Sequence, residues 1–441
     1  MGLTRREALH RVIGVVAAAG LPLAEHARGA DRHAARRMAT TGLQGAAAGQ
    51  ENEAPQQNAV LLQNSQGQQN VAAAAPASAP ECLTDFEPLA QARVSPMVWE
   101  YVNSAAADEI TLKWNREALN RIRLKPRVLV DVSKLDTRVT LFGQEMRFPI
   151  LCAPTGALRA VHAEGEIGAV KGAAAAGTTF VVSTGANTTL EEIAAASKTP
   201  LWFQLYVQPD RGFTHELVQR AQAAGYRALC VTVDSPVNGP RNRQQRAKFV
   251  LPPGLDFANL RGLMPSGNAG HFDRRNEGQM YSSLLSADLT WKDIAWLQSF
   301  AKIPVLLKGV LNADDADRAV KEGVSGVIVS NHGARNFDTV PATAEALPLV
   351  AEKVAGRIPV LMDGGIRRGT DVLKALAMGA NAVQIGRPYL YGLAVAGASG
   401  VTRVLEILQN EFQMAMALAG RPTIASIDGS VLWPASKLER G

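Results

Sequence analysis

Residues 326–338 read GVIVSNHGARNFD, a short apolar run that ends in polar and charged residues. The consecutive apolar residues 327–329 are typical of a buried strand. His332 and Arg335 follow, three residues apart. Histidine exchanges a proton near neutral pH, and arginine binds a carboxylate through two parallel hydrogen bonds. The stretch predicts either a site that holds a small acid and removes a proton from it, or a strand end with solvated polar residues, and the rest of the chain decides between them.

Apolar runs like this one recur along the chain and alternate with helix-like segments. The eight runs are 149–153, 179–183, 201–206, 228–233, 304–307, 327–329, 359–362 and 382–385. The segments between them include 164–176, 189–196, 214–224, 313–322, 343–354 and 369–378. Several segments are followed by a glycine where a helix commonly stops, namely Gly177, Gly225, Gly323 and Gly379. Eight regular units predict an α/β fold, a parallel (β/α)8 TIM barrel, and a doubly wound open sheet is the alternative.

One unit of the predicted barrel is interrupted by an insertion. Residues 235–303 separate the fourth run from the fifth. A long segment on a βα loop predicts a lid over the active face. The helical pattern of residues 291–300 then returns the chain to the barrel. Upstream of the first unit, residues 98–122 also show helical periodicity.

The first 30 residues look like a targeting segment. Arg5 and Arg6, in the sequence TRREAL, precede a modestly apolar stretch at residues 12–24. This arrangement resembles a bacterial Tat signal, and the apolar stretch is too short for a transmembrane span. Residues 1–30 therefore predict export to the periplasm. The alternative is a disordered basic leader on a cytoplasmic protein.

The composition changes again before the globular part begins. Residues 31–81 are rich in Ala, Gln, Gly and Asn, which predicts a disordered linker ahead of a folded domain over 82–441. The net charge is +6, but seven arginines against three acidic residues put +4 of it in residues 1–37, so the remaining +2 indicates no nucleic-acid partner. The spacing of the three cysteines, Cys82, Cys152 and Cys230, suggests no metal site and no disulfide framework.

In a (β/α)8 barrel the active site lies at the carboxyl ends of the strands, and here those ends carry polar groups. In chain order they are Ala153, Pro154 and Thr155; Ser183; Gln204 and Tyr206; Thr232, Asp234 and then Arg241; Lys308; Ser330, His332 and Arg335; Asp363, Gly364, Gly365 and Arg367; and Gly386 and Arg387. Each alone has an ordinary explanation as a cap or a turn. Their convergence at all eight ends favours one active site.

The last two strand ends have the composition of a phosphate site. Glycine amides and two arginines, Arg367 and Arg387, lie where barrels commonly bind phosphate, although a tight turn also explains the glycine pair. Lys308 supplies a fixed cation that stabilises a ring which has gained negative charge. Ser183, Gln204 and Thr232, at the second, third and fourth strand ends, provide hydrogen-bonding groups for a planar heterocycle. These features predict flavin mononucleotide (FMN), whereas no Gly-x-Gly-x-x-Gly follows a leading strand to indicate a nicotinamide site.

A series of short motifs carries a family resemblance. The motifs are Asp108-Glu-Ile-Thr-Leu with Asn115, Pro126-Arg-Val-Leu-Val-Asp-Val, Ala153-Pro-Thr, His162-Ala-Glu-Gly-Glu, Phe203-Gln-Leu-Tyr-Val, Thr232-Val-Asp-Ser-Pro, Lys308-Gly-Val, Ser330-Asn-His-Gly-Ala-Arg and Asp363-Gly-Gly-Ile-Arg-Arg-Gly. From about residue 83 to about residue 430, the chain resembles the FMN-dependent L-2-hydroxy acid oxidases and dehydrogenases, among them glycolate oxidase, lactate oxidase and mandelate dehydrogenase. The resemblance implies oxidation of a lactate-, glycolate- or mandelate-like acid to its 2-oxo acid.

The resemblance also implies a role for each matching residue. His332 is the general base that takes a substrate proton, either in carbanion formation or alongside hydride transfer, and Asp234 stabilises the protonated histidine. By the same resemblance, Arg335 and Tyr101 are the pair that binds the substrate carboxylate, Tyr206 lies near the substrate hydroxyl, and Arg241 is a second active-site arginine. The implied FMN contacts are Ser183, Gln204 and Thr232 at the ring, Lys308 near flavin N1, and Ser330, Asp363, Arg367, Gly386 and Arg387 along the ribityl chain and phosphate, with Ala153, Pro154, Thr155, Gly364 and Gly365 beside them.

The chain departs from the family pattern at a few positions. Ser104-Ala105-Ala106 replaces the usual glycine after Tyr101, and Asn336-Phe337 replaces a more common Gln-Leu. Pro240 and Asn242 flank Arg241 instead of charged residues. Gly185 stands where some oxidases carry a bulky aromatic residue, which predicts a wider pocket and a larger acid.

Three questions stay open at this level. An FMN-dependent isomerase and a catalytically silent flavin-binding module on the same barrel are the alternatives to the hydroxy acid activity. The electron acceptor is oxygen, a quinone or a cytochrome, and no Cys-x-x-Cys-His indicates a fused c-type cytochrome. Members of the family often form tetramers, so the resemblance implies a homo-oligomer.

Overall fold

The computed structural model describes residues 79–263, 281–282 and 284–434. The predicted leader, residues 1–30, lies outside the described residues, as does all of the predicted linker before residue 79. Both therefore stay predictions.

Eight parallel strands close into a barrel, preceded by a two-stranded hairpin. The strands are β1 (Val139–Leu141), β2 (Gln144–Met146), β3 (Ile150–Cys152), β4 (Phe180–Ser183), β5 (Leu201–Leu205), β6 (Leu229–Thr232), β7 (Val305–Val310), β8 (Gly326–Val329), β9 (Val360–Met362) and β10 (Ala382–Ile385). From β3 onwards, neighbours in the chain are neighbours in the barrel, and β10 pairs with β3 to close it. This confirms the predicted (β/α)8 barrel and excludes an open sheet.

Alternate side chains of each strand point into the barrel, because the side-chain period of a strand is two residues. The lower layer is apolar and consists of Leu151, Val181, Trp202, Cys230, Leu306, Ile328, Leu361 and Ala382. Two residues further along each strand lie Ala153, Ser183, Gln204, Thr232, Lys308, Ser330, Asp363 and Gln384, all of them buried. The second layer is polar at every strand except β3, so the carboxyl end of the barrel has a polar floor.

The β1–β2 hairpin covers the opposite end of the barrel, an element that sequence analysis did not predict. Leu141 and Met146 pack against the apolar layer. The Trp202 Nε1–H donates to Gln144 Oε1 at 3.0 Å, and the Phe142 ring lies 5.5 Å from the Trp202 ring. Because this end is closed, the functional site opens at the carboxyl ends of the strands.

The helices surround the barrel. They are α1 (Phe86–Gln91), α2 (Pro96–Asn103), α3 (Ile110–Arg121), α4 (Leu158–Val161), α5 (Gly165–Ala176), α6 (Leu190–Ala196), α7 (Arg211–Ala223), α8 (Asn242–Arg246), α9 (Trp291–Phe300), α10 (Ala313–Lys321), α11 (Thr343–Val354), α12 (Gly369–Ala377) and α13 (Arg387–Leu418). The four glycines expected at helix ends all have left-handed backbones, with φ from +74° to +104°. The helical stretch expected over 98–122 is instead two helices, because Ala107 and Glu109 adopt left-handed conformations between them.

Helix α13 is long and apolar enough to cross a membrane by length and composition alone. More than half of its most apolar window is buried inside the protein, as in the core helix of a folded domain. The helix is also broken at Gly397, where φ is +59° and the carboxylate of Glu164 fills the space of a side chain.

The insertion follows β6, the fourth strand of the barrel, as predicted. It contributes α8 and a 3-10 turn, Ala258–Leu260, while residues 264–280 and 283 lie outside the description. Phe249, Leu251 and Phe257 of the insertion line the cavity at the carboxyl end of the barrel. The described part of the insertion therefore forms one wall of that cavity.

Candidate active site

A cavity lies above the polar floor of the barrel, and it gathers most of the predicted site residues. Those that line it are Tyr101, Ala153, Pro154, Thr155, Ser183, Gln204, Tyr206, Thr232, Arg241, Lys308, His332, Arg335, Asp363, Gly364, Gly365, Arg367, Gly386 and Arg387. The other two lie directly behind this lining: Asp234 contacts His332, and Ser330 contacts Lys308.

His332 reaches the cavity because the chain turns sharply where β8 ends. His332, Gly333 and Ala334 have consecutive left-handed backbones, with φ of +57°, +60° and +65°. Strain of this kind persists only where the surroundings hold it, and it is concentrated at functional sites. Asn331 Oδ1 accepts the Ala334 N–H at 3.2 Å, and an amide pair between Asn331 and Asn115 buries this turn against α3.

A carboxylate fixes the tautomer of His332. The Nδ1 atom of His332 lies 2.9 Å from Asp234 Oδ1, so Nδ1 carries the proton and donates it to the carboxylate. The basic Nε2 then lies 3.2 Å from the hydroxyl of Tyr206. Burial lowers the pKa of His332 and outweighs the opposing effect of Asp234. Burial alone raises the pKa of Asp234, but the neighbouring His332 brings it below the ordinary value. The pair is therefore a neutral base beside an ionised carboxylate.

Two guanidinium groups lie on the same side of the cavity as His332. Arg335 donates to the Ser104 carbonyl at 2.8 Å and to Gln244 Oε1 at 3.3 Å, and its Cζ lies 5.5 Å from the centre of the Tyr101 ring. Arg241 donates from Nε to the Arg335 carbonyl at 3.1 Å. Paired guanidinium groups beside a base form a site for a small carboxylate that also bears a removable proton.

The polar floor is a connected network. Ser183 Oγ donates to Gln204 Oε1 at 3.1 Å, and Gln204 Nε2 donates to Thr232 Oγ1 at 2.9 Å. On the facing strands Lys308 Nζ lies 2.7 Å from an Asp363 oxygen and donates to Ser330 Oγ at 2.8 Å. Burial works against the charge of Lys308, yet the carboxylates of Asp363 and Asp234 raise its pKa. Lys308 is therefore a permanent cation under the cavity.

The end of the cavity near β9 and β10 is positively charged. Within the described residues, neither Arg367 nor Arg387 forms an ion pair with a carboxylate, and Arg387 instead donates to the carbonyls of Gly333 and Ser104 at 3.0 and 2.9 Å. Burial lowers the pKa of both arginines, and the positive charge of Arg367 lowers that of Arg387 further. Two adjacent cations without a carboxylate favour an anion between them.

The floor also holds buried polar atoms that have no partner among the described residues. These atoms are Asp363 Oδ1 and both side-chain polar atoms of Gln384. An unsatisfied buried polar group costs about 1–3 kcal/mol. A ligand with a polyhydroxyl chain and a phosphate supplies hydrogen-bond partners here and an anion for the two arginines. The donor set therefore fits FMN.

Sequence reasoning missed several residues that line the cavity. Gln384 lies on β10 two residues after the inward-facing Ala382, so the two-residue period of the strand was a usable signal. Phe249, Leu251 and Phe257 follow no period within the insertion and gave no signal. The Phe257 ring lies 3.5 Å from where a Cβ of Gly185 would lie, so the insertion fills part of the space that the glycine leaves.

Comparisons with known proteins agree with this geometry. The profile of a family described as FMN-dependent dehydrogenase matches residues 90–434. L-lactate oxidase of Nostoc sp. is 47% identical over 365 residues, which are 80% of this chain and 98% of that protein. Glycolate oxidase 1 of Oryza sativa subsp. indica is 44% identical over 348 residues, 78% and 93% of the two chains. A soluble mutant of the membrane-associated (S)-mandelate dehydrogenase from Pseudomonas putida superposes with a TM-score of 0.74 at 38% identity, covering 80% of this chain and 99% of that one.

Proposed function

The chain belongs to the FMN-dependent dehydrogenase family, and from this premise we propose that its cavity binds FMN and oxidises an L-2-hydroxy acid to the 2-oxo acid. One observation carries the proposal. The neutral base His332, paired with Asp234, shares a cavity with two carboxylate-binding arginines and with a polar floor that suits a flavin.

Each polar group of the substrate has a partner on the chain. Arg335 and Arg241 bind the carboxylate, and the Tyr206 hydroxyl hydrogen-bonds the substrate hydroxyl. His332 Nε2 takes the substrate proton, and Asp234 stabilises the imidazolium that results. FMN, when bound, supplies the two-electron acceptor.

The cofactor is held from two ends in this proposal. Arg367, Arg387 and the amides that follow β9 and β10 hold the phosphate. The network of Ser183, Gln204 and Thr232 holds the ring, and Lys308 provides the adjacent cation.

The wall of the cavity favours an apolar substrate side chain. The described insertion presents Phe249, Leu251, Phe257 and Leu285 to the cavity. Each methylene that such a wall removes from water contributes about 0.8 kcal/mol. We therefore rank lactate-like and mandelate-like acids above glycolate as substrates. Comparing kcat/KM for L-lactate, L-mandelate and glycolate tests the ranking, and a preference for glycolate would refute it.

The decisive experiment is anaerobic mixing of the purified flavoprotein with L-2-hydroxy acids, followed by air. Loss of the flavin absorbance band with one L-acid and not with its D-enantiomer establishes the reaction. Rapid recovery in air identifies an oxidase, and slow recovery identifies a dehydrogenase with a quinone or cytochrome acceptor.

His332→Gln should abolish bleaching of the flavin band, whereas His215→Gln, on the exposed face of α7, should not. Absence of bleaching with FMN bound would favour the isomerase or the silent module.

We also propose that the protein is a homo-oligomer, with a tetramer as the family resemblance implies. Val128 and Leu129 are exposed, and the neighbouring Arg127 N–H bonds to the Ala419 carbonyl, beside the exposed Leu418. Exposed apolar side chains grouped in this way commonly mark an interface. Light scattering on the purified protein measures the mass directly, and a monomeric mass would refute the proposal.

We further propose that residues 1–30 direct export. The support is the Arg5–Arg6 pair ahead of the apolar stretch. Fractionation of cells that produce the full-length protein tests this. Exclusively cytoplasmic, uncleaved protein, unchanged when both arginines are replaced by lysine, would refute it.

A further inference from the structure

Asn336 contacts His332 at Nδ1, the ring nitrogen opposite the Nε2 that faces Tyr206. Its Nδ2 lies 2.6 Å from Ser235 Oγ, 3.0 Å from His332 Nδ1 and 3.2 Å from Asp234 Oδ1. Its Oδ1 accepts a hydrogen bond from Arg241 Nη2 at 3.1 Å. This amide therefore contacts the base, the carboxylate partner of the base and an arginine of the proposed substrate site.

The orientation of the Asn336 amide is fixed by its neighbours. Asp234 presents acceptors only, so the NH2 group must face it, and Arg241 presents donors only, so the oxygen must face the guanidinium. Ser235 Oγ also donates to Asp234 Oδ1, at 2.9 Å. Three donors, from His332, Ser235 and Asn336, thus converge on Oδ1. The other carboxylate oxygen, Oδ2, has no partner within the described chain.

The segment that carries Asn336 is held tightly from one side. Gly239, in the loop after β6, packs so closely that a Cβ there would overlap the Asn336 backbone. The next residue, Phe337, points away and is 73% exposed. Asn336 is thus held in place while its neighbour in sequence is free of the site, which offers a matched control.

We propose that Asn336 is a positioning residue that sets the basicity of His332 and anchors Arg241, so that the base and the carboxylate-binding arginine are held by one amide. The inference rests on the proposed function. The positive end of the amide dipole lies against His332 Nδ1, and its hydrogen bond disperses the charge of Asp234. Both effects disfavour protonation of His332. Loss of the amide is therefore expected to raise the pKa of His332.

Other charged and titratable groups also face His332. They are Asp234 after β6, Lys308 on β7, Arg241 before α8, Tyr206 after β5, Asp363 after β9 and Arg335 in its own turn. Of these groups, Asp234 and Arg241 bond to Asn336, and neither changes its charge when Asn336 is replaced. A shift in the pH profile therefore reports the loss of the amide and of its contacts.

The test compares three substitutions by anaerobic flavin reduction as a function of pH. In Asn336→Leu we expect the acid limb of the reduction rate to move up by about 0.5–1 pH unit. The KM for the acid should rise as well, because Arg241 loses the acceptor that Asn336 Oδ1 provides. In Asn336→Asp the added negative charge should move the limb further in the same direction. Asn336→Gln keeps an amide, so the acid limb of its reduction rate should lie at the same pH as in the wild type. Phe337→Ala, the control, should leave the profile unchanged.

A second readout does not need turnover. Oxalate, a dicarboxylate without a C–H proton to remove, should bind at the two arginines and perturb the flavin spectrum. Its binding should tighten as His332 becomes protonated. The pH dependence of oxalate binding should shift upward in Asn336→Leu and Asn336→Asp, as the reduction rate does. Unchanged pH dependence in both variants would overturn the inference. A wild type that binds oxalate but reduces no flavin with any acid would instead overturn the proposed function.

Discussion

At the scale of single residues, the site depends on a histidine that burial keeps neutral. Because the pKa of His332 is lowered, kcat/KM should rise as the pH increases through a value below the ordinary 6.5 of histidine. Asp234→Asn removes the charge that stabilises the imidazolium. It should slow flavin reduction by about 10²–10⁴-fold and move the acid limb to still lower pH. Stopped-flow reduction between pH 5 and 9 checks both effects. An acid limb that moves to higher pH in Asp234→Asn would contradict the proposed pairing of His332 with Asp234.

Replacement of Gln384 should affect the stability of the FMN-free protein and of the FMN-bound protein differently. Gln384→Leu removes a buried carboxamide that has no partner among the described residues, so the protein without FMN should become more stable by about 1 kcal/mol or more. The same change should weaken FMN binding and reduce the stabilisation that FMN provides. Denaturant titrations with and without FMN measure this.

The control for Gln384 is Gln144→Leu at the closed end of the barrel. It breaks the hydrogen bond from Trp202, so it should destabilise both forms equally. Equal effects of the two substitutions would show that Gln384 is only a core residue.

At the scale of elements, side chains tie together segments that are far apart in sequence. Asp338 accepts the backbone N–H groups of Asp108, Ile110 and Thr111, at 3.1, 3.2 and 2.8 Å, and so caps α3 from the turn after β8. This contact joins the Asp108-Glu-Ile-Thr motif to a residue 227–230 positions later in the chain. Asp338→Ala should cost about 1–3 kcal/mol of the free energy of unfolding at pH 7.

The cost of losing Asp338 should depend on pH with a definite sign. Burial raises the pKa of Asp338, but its backbone hydrogen bonds lower it more, so the folded pKa is depressed. The stabilisation is therefore fully present above the unfolded value of about 3.9 and is lost as the pH falls through the folded pKa. The gap between wild type and Asp338→Ala in urea denaturation should narrow at low pH. Glu117→Ala, at an exposed position in the middle of α3, should show almost no gap at either pH.

Substrate size should be limited by Phe257 of the insertion more than by the residue at position 185. Phe257 already lies at contact distance from the Cβ position of Gly185, so Gly185→Ala should leave substrate preference almost unchanged. Phe257→Ala removes the ring and should raise the ratio of kcat/KM for L-mandelate over L-lactate by about tenfold. Steady-state kinetics of both variants check this. A change in Gly185→Ala with none in Phe257→Ala would contradict the assignment.

The same elements show what the sequence reveals and what it hides. The barrel was predictable because its strands are continuous apolar runs and its helices end at glycines. The break between α2 and α3 was hidden, since Ala107 and Glu109 adopt left-handed backbones without being typical turn residues. The wall formed by Phe249 and Phe257 was hidden as well, because the inward direction of an irregular loop is set by tertiary packing and not by a period.

At the scale of the whole molecule, residues from almost every strand end meet in one cavity, which only a closed barrel permits. Arg335 donates to the carbonyl of Ser104, a residue 231 positions earlier, and Arg387 donates to the same carbonyl. The groups that we propose to bind the ring, to bind the phosphate and to take the proton are therefore fixed relative to one another by the barrel and not by local sequence. This explains why most lining residues were predictable from their strand ends. Contacts between segments that are distant in sequence, such as those of Asn336, were not predictable.

The last prediction concerns the association of subunits through apolar side chains that are exposed outside the barrel. Leu129 is fully exposed and has a left-handed backbone, with φ of +59°. Its segment is joined by the Arg127 N–H to the carbonyl of Ala419, the residue after Leu418, which is 77% exposed. Burial of a leucine contributes about 1.5–3 kcal/mol, so Leu129→Asp should weaken subunit association by at least about tenfold per contact. Light scattering across a dilution series should show the variant dissociating at concentrations where the wild type stays assembled. Leu349→Asp, on the outer face of α11, should assemble normally. Equal assembly of wild type and Leu129→Asp would place the subunit interface elsewhere on the molecule.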